Sequence, residues 1–183
     1  MARSKVLEEL KPLEKSATQP YFSKSIQLAD IIQWVLEQIG RASISISTFS
    51  TSEEFLRRLH KFKQTGLISE SFLFCDLRAA RKTVALKHFM QSTFDRIFLC
   101  ENHSKVVLMR SDTCEVAIVT SQNQTRGDRY EAGIITTDIS TCVYLKMAFL
   151  EMAQNSISIN DLLLPTGNDS EGIRAGGRTD AAD

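Results

Sequence analysis

The chain has 183 residues, 43% of them apolar, enough to bury one substantial core and too few for two ordinary domains with linkers. Its 22 basic and 22 acidic residues cancel to a formal charge of zero, so the overall balance announces neither nucleic acid nor an anionic membrane as a partner. No stretch approaches the roughly 18 apolar residues of a membrane-spanning helix, and the start MARSKVLEELKPLEK lacks the apolar region of a secretory signal, so a soluble, cytoplasmic protein is expected.

The four cysteines, Cys75, Cys100, Cys114 and Cys142, lie far apart and form no CxxC pair. That spacing argues against zinc and against a disulfide framework, and leaves buried, reduced thiols as the reading. Residues 1–24 read as a charged N-terminal arm containing two prolines, with a short helix over Val6 to Leu10. Residues 25–164 read as a single domain, and 165–183, glycine-rich and nearly devoid of bulky apolar residues, as a disordered tail.

Within the domain, Ile26, Ala29, Ile32, Val35, Leu36 and Ile39 recur at helical spacing, with Gly40 as the stop; Trp34 on this helix reads as core or dimer contact. Ser43 to Phe49 alternates polar and apolar strictly, which marks a strand with one buried face. Ser52 is placed to cap a helix from Glu53 to about Gln64, ended by Gly66. Phe72 to Cys75 suits a buried strand, Arg78 to Gln91 a helix, and Asp95 to Cys100 a third strand. Lys105–Arg110, Glu115–Ser121 and Arg129–Thr137 follow as strands, the first two joined by a turn at Arg110–Thr113. Asp138 is placed to cap a long helix through Met152, and a short amphipathic piece over Ile157 to Leu164 ends at Pro165. Strands and helices alternate first and hairpins come after, which predicts an α/β fold: a mixed β-sheet flanked by helices.

Chemistry concentrates in the strand-rich part. His103 and Lys105 stand two residues apart at the start of an apolar strand, so their side chains share a face. Ser121 follows Lys105 by sixteen residues, with Asn123 paired to it in the same way, and Glu131 opens the next strand. A lysine and uncharged donors would stabilise phosphoryl oxygens as charge develops, while an imidazole attacks phosphorus or transfers a proton. Glu131 could orient the imidazole, and such a site needs no metal or other cofactor. Arg126 and Arg129 flank the loop and could reach a phosphate, or could be ordinary surface arginines. Arg78, Arg81, Lys82 and Lys87 form a basic cluster that reads first as a solvated helix face, with contact to nucleic-acid phosphates as the functional alternative. His60 and His88 have no partners at telling spacing and read as surface residues.

The run H-x-K, then S-x-N, then the glutamate of RYEAGII resembles the signature of the phospholipase D superfamily, usually written HxKxxxxD followed by GSxN. The helix–strand–helix stretch containing SISISTFS and SEEFLRRLHKFKQTG is similar to that family's opening unit, so the resemblance covers about Ser25 to Met152. It implies a phospholipase D-like α/β sandwich and a nuclease-like, metal-independent phosphodiesterase. His103 would be the nucleophile of a phosphohistidine intermediate, Lys105, Ser121 and Asn123 would bind the phosphoryl group, and Glu131 would support a histidine. Family members bring two such motifs together, and only one occurs here, so a homodimer completing the site is implied, with DNA or RNA as the substrate class.

Three departures bear on activity. Arg110 occupies the position of the motif aspartate, Thr120 that of the glycine before Ser121, and the interval between the two motif halves is about three residues longer than usual. Two further readings stay open: a catalytically silent binding or assembly protein of the same fold, and an unrelated α/β module in which His103 and Lys105 are surface residues.

Overall fold

The computed structural model describes residues 10–78, 86–124 and 129–159. The expected helix at Val6 to Leu10, the tail, Arg81, Lys82, Arg126 and most of the piece before Pro165 lie outside the described residues, as does part of the helix expected from Arg78.

The elements are β1 (Thr18–Ser23), α1 (Leu28–Ile39), β2 (Ala42–Thr48), α2 (Glu53–Gln64), β3 (Ile68–Asp76), α3 (Lys87–Thr93), β4 (Arg96–Cys100), β5 (Val106–Arg110), β6 (Glu115–Thr120), β7 (Glu131–Thr136), α4 (Ile139–Gln154) and β8 (Ile157–Ser158). They build one eight-stranded sheet in the order β1-β7-β6-β5-β2-β3-β4-β8. The β2, β3 and β4 strands run parallel, each joined to the next through a helix, and every other pairing is antiparallel. This is the mixed α/β architecture expected from the element order.

Alternation along the strands sorts the side chains onto two faces. One face carries Ile44, Ile46, Leu73, Ile97, Val107, Met109, Val116, Ile118 and Ile135, packed under α1, α2 and α3. The other carries Phe74, Phe98, Leu108 and Ala117, packed under Cys142 and Phe149 of α4. Trp34 is buried in the first layer. Local signals act where expected: Ser52 Oγ accepts the N–H of Phe55 at 3.3 Å, Asp138 Oδ2 accepts that of Thr141 at 2.8 Å, and Gly40 and Gly66 take positive φ values of 74° and 76° after their helices. Cys75 and Cys142 are buried, Cys100 and Cys114 half-buried, and all four are free thiols.

Thr18–Ser23, within the stretch read as an arm, is the edge strand paired along its length with β7. Pro20 obscured it in the sequence; on an edge its missing N–H costs no ladder bond. His60, read as a surface residue, is half-buried edge-on to Phe89 at 5.9 Å. Among the described residues no helix is long and apolar enough to cross a membrane.

Candidate active site

His103 stands on the loop between β4 and β5, just beyond the carboxyl end of the parallel strands. Neighbouring Asn102, 6% exposed, anchors that loop. Its Nδ2 lies 2.8 Å from Ser47 Oγ, 3.3 Å from the Thr48 carbonyl and 3.2 Å from that of Phe74. Its Oδ1 accepts the N–H of Ser104 at 2.8 Å and the Ser104 hydroxyl at 2.7 Å, and the hydroxyls of Ser104 and Ser47 bond to each other. Beneath them the buried Asp76 carboxylate accepts the N–H groups of Asn102 and Arg78, at 2.9 and 2.8 Å. A buried charge persists only when its lone pairs are satisfied, and here those bonds fix the backbone that presents His103.

The imidazole itself is exposed. It packs against Phe49, ring centres 5.3 Å apart, in an open cleft of about 370 Å³ that also touches Arg78 and Glu101. Lys105 Nζ lies 3.3 Å from His103 Nδ1 and donates to the His103 carbonyl at 2.7 Å. The pair expected from the two-residue spacing is thus in direct contact, although both residues precede β5 and the contact is made on the loop, not on a strand face.

A second cluster forms where β6 ends and β7 begins. The Ser121 hydroxyl donates to Glu131 Oε2, and Arg129 Nε donates to Glu131 Oε1 at 2.6 Å. Glu131 is 8% exposed. The Thr120 N–H bonds the Lys105 carbonyl at 3.0 Å, which sets this cluster beside the lysine. Lys105 feels it: partial burial pulls its pKa below 10.5, the Glu131 carboxylate pushes it up and the Arg129 guanidinium pushes it down. With both Glu131 oxygens engaged by Ser121 and Arg129, it is Lys105, not Glu131, that hydrogen-bonds the imidazole within one chain.

Asn123 goes elsewhere. It lines a small pocket with Gln27, Ser52 and Arg58 near the amino ends of α1 and α2, and its Oδ1 is buried with no hydrogen-bond partner among the described residues. Arg126 falls outside the described residues. Thr120, in the place of the motif glycine, has its hydroxyl 2.5 Å from that of Tyr21 and 3.2 Å from the Ala132 carbonyl. Burial pushes the Tyr21 phenol up to about 12. Sequence reasoning missed Asp76, Asn102, Ser47 and Tyr21. A polar residue ending an apolar strand run, as Asp76 does, was the signal available.

Among the described residues no group of three or more His, Cys, Asp or Glu gathers as a metal site would require.

No protein-family model matches the chain, and no curated protein matches it in sequence. Solved structures do match in fold. NucT from Helicobacter pylori superposes with a TM-score of 0.58 at 15% identity, over 78% of this chain and 99% of that one. Nuc from Salmonella typhimurium, described as a phospholipase D family member, gives 0.59 at 14% identity over 77% and 96%. TrmBL2, an archaeal chromatin protein described as showing a novel mode of DNA binding, gives 0.52 at 10% identity over 79% and 54%. At such identities the likeness speaks for architecture alone: the chain has the fold of the phospholipase D family member Nuc.

Proposed function

We propose that this chain is a phospholipase D-type phosphodiesterase acting on nucleic acid as a homodimer, through a phosphohistidine intermediate and without a metal. The observation that carries this reading is the contact between His103 and Lys105 beside the Ser121–Glu131–Arg129 cluster, at one end of a sheet with the fold of phospholipase D-type nucleases.

The imidazole of one subunit attacks phosphorus, a P–N bond forms, and the P–O bond to the leaving group breaks. The partner subunit's imidazole gives that alkoxide its proton, then takes one from the water that hydrolyses the phosphohistidine, releasing the first imidazole unchanged. Lys105, Ser121 and Arg129 lower the energy of the charged phosphoryl oxygens. Tyr130, between Arg129 and Glu131 in sequence, stacks on Phe22 of β1 with ring centres 5.2 Å apart, and this exposed pair suits a subunit contact beside the site.

The test is cleavage of DNA and RNA in EDTA by the purified chain, with His103→Ala beside it. The expected result is cleavage that falls about 10³-fold or more in the variant while the fold persists. Undiminished cleavage by His103→Ala would overturn the assignment, and an active monomer in sedimentation would overturn the shared site.

A second reading, a silent nucleic-acid-binding protein of the same fold, is favoured by the turning away of Asn123 and by the likeness to TrmBL2. It predicts no cleavage, and DNA retention that weakens as salt rises.

A further inference from the structure

The β2 strand is interior to the sheet, yet on its α4 side it offers only hydroxyls: Ser43, Ser45 and Ser47, alternating with the buried Ile44 and Ile46. Interior strands covered on both faces ordinarily carry apolar residues on both. Ser47 is used by Asn102 and Ser104, and Ser43 reaches the Arg110 carbonyl at 3.4 Å. The Ser45 hydroxyl, on a half-buried residue, makes no hydrogen bond among the described residues.

Above Ser45 a cleft of about 270 Å³ opens between the sheet and the second half of α4. Its walls are aromatic. Phe74 stacks on Phe98 with ring centres 4.7 Å apart and tilts against Phe149 at 5.1 Å, and Phe72 completes the floor between Ser45 and Arg96. At the rim stand three cations, Arg96, Arg110 and Lys146, against two carboxylates, Glu70 and Glu115. None of the three cations pairs with a carboxylate within 4 Å among the described residues. A leucine at position 45 would fill part of this space, whereas serine leaves both the room and a hydroxyl pointing out of the strand.

We propose that this cleft binds a small organic anion: a flat apolar body against the phenylalanines, an acidic head at the Arg96–Lys146 rim, and a hydrogen bond from Ser45. The volume lies near the lower end of small-molecule pockets, and few placed polar groups in an aromatic lining are what fix orientation in such sites. The cleft lies toward the Arg110 end of β5, opposite to the end that leads to Lys105, so the site is separate from the phosphodiester chemistry and does not rest on it.

The test uses 1-anilinonaphthalene-8-sulfonate, an aromatic monoanion read by fluorescence, with uncharged N-phenyl-1-naphthylamine as comparison. One saturable site is expected, with binding at least about tenfold weaker for the uncharged probe and for an Arg96→Gln/Lys146→Gln variant, whose melting temperature stays unchanged. Ser45→Leu should remove the site; should that variant fail to fold, the rim variant still decides. Equal affinity in the rim variant, absence of a saturable site, or affinity that falls as protein concentration rises because a second copy fills the cleft would each overturn the proposal.

Discussion

Asp76, at the end of β3, receives the backbone N–H of Asn102 at 2.9 Å, a bond that spans 26 residues of chain and ties the loop bearing His103 to the centre of the sheet. Asn102→Ala removes the amide that reaches Ser47 and Ser104 and strands buried polar atoms around it. Unsatisfied buried groups cost about 1–3 kcal/mol each, so a loss of about 2–4 kcal/mol in a urea titration is expected. Cleavage should fall with it even under conditions where the variant remains folded. A variant as stable and active as the parent would show that the loop holds itself.

The alkaline limb of activity should report Lys105. Partial burial depresses its pKa, the Glu131 carboxylate opposes that, and the Arg129 guanidinium adds to it. In the folded chain the ammonium therefore loses its proton below 10.5, where the unfolded chain still holds it. Between the two values the unfolded state binds more protons, so stability rises with pH there while the charged lysine, and activity with it, is lost. Glu131→Gln removes the opposing field and should move the limb of kcat/KM to lower pH, and Arg129→Gln should move it higher. A pH–rate profile of each variant checks this, and movement in the reverse sense would place Lys105 outside their reach.

Much of this fold was legible because its signals are local. The alternation of Ser43 to Phe49, the caps at Ser52 and Asp138, and the glycines after the first two helices each act within a few residues. His103 and Lys105 do meet, though on the loop before β5, where Lys105 reaches back to the His103 carbonyl and ring, and not through strand alternation. What stayed hidden depends on distant chain. The strand expected at Phe72 to Cys75 begins at Ile68, and Ser71 is buried there with Asp95, 24 residues on, accepting its N–H at 2.8 Å. Asp76 and Asn102 carry no spacing signature, since they meet across the chain and Asn102 draws its partners from two strands, β2 and β3. Asn123 failed the spacing argument because it lies past the end of β6, where strand alternation no longer governs direction.

Tyr21 lies across Gly133, its partner in the β1–β7 register, so closely that a Cβ there would stand 2.6 Å from ring atoms. Gly133→Ala must therefore displace the ring and its hydrogen bond to Thr120. A cost of about 1–3 kcal/mol is expected from overpacking. Tyr21→Phe keeps the ring and removes only the hydroxyl, for about 1 kcal/mol. Thermal or urea unfolding of the two variants should rank them in that order, and equal stabilities would mean that the ring gives way freely.

Placing at position 110 the aspartate of the HxKxxxxD pattern should do little. Arg110 sits at the far end of β5 from Lys105, roughly 16 Å along an extended strand, and five residues of alternation put the two side chains on opposite faces. A side chain at position 110 therefore could not touch a phosphate held by His103 and Lys105. Across the strand pair Arg110 faces Glu115, so Arg110→Asp sets two carboxylates opposite each other. Like charges in that register cost about 0.2–1 kcal/mol, and the variant should melt slightly earlier. Its kcat/KM should stay within about twofold of the parent, since nothing within contact of the imidazole changes. A gain of tenfold or more on introducing the aspartate would show that position 110 governs the chemistry from a distance, and that the natural chain is held inactive by its arginine.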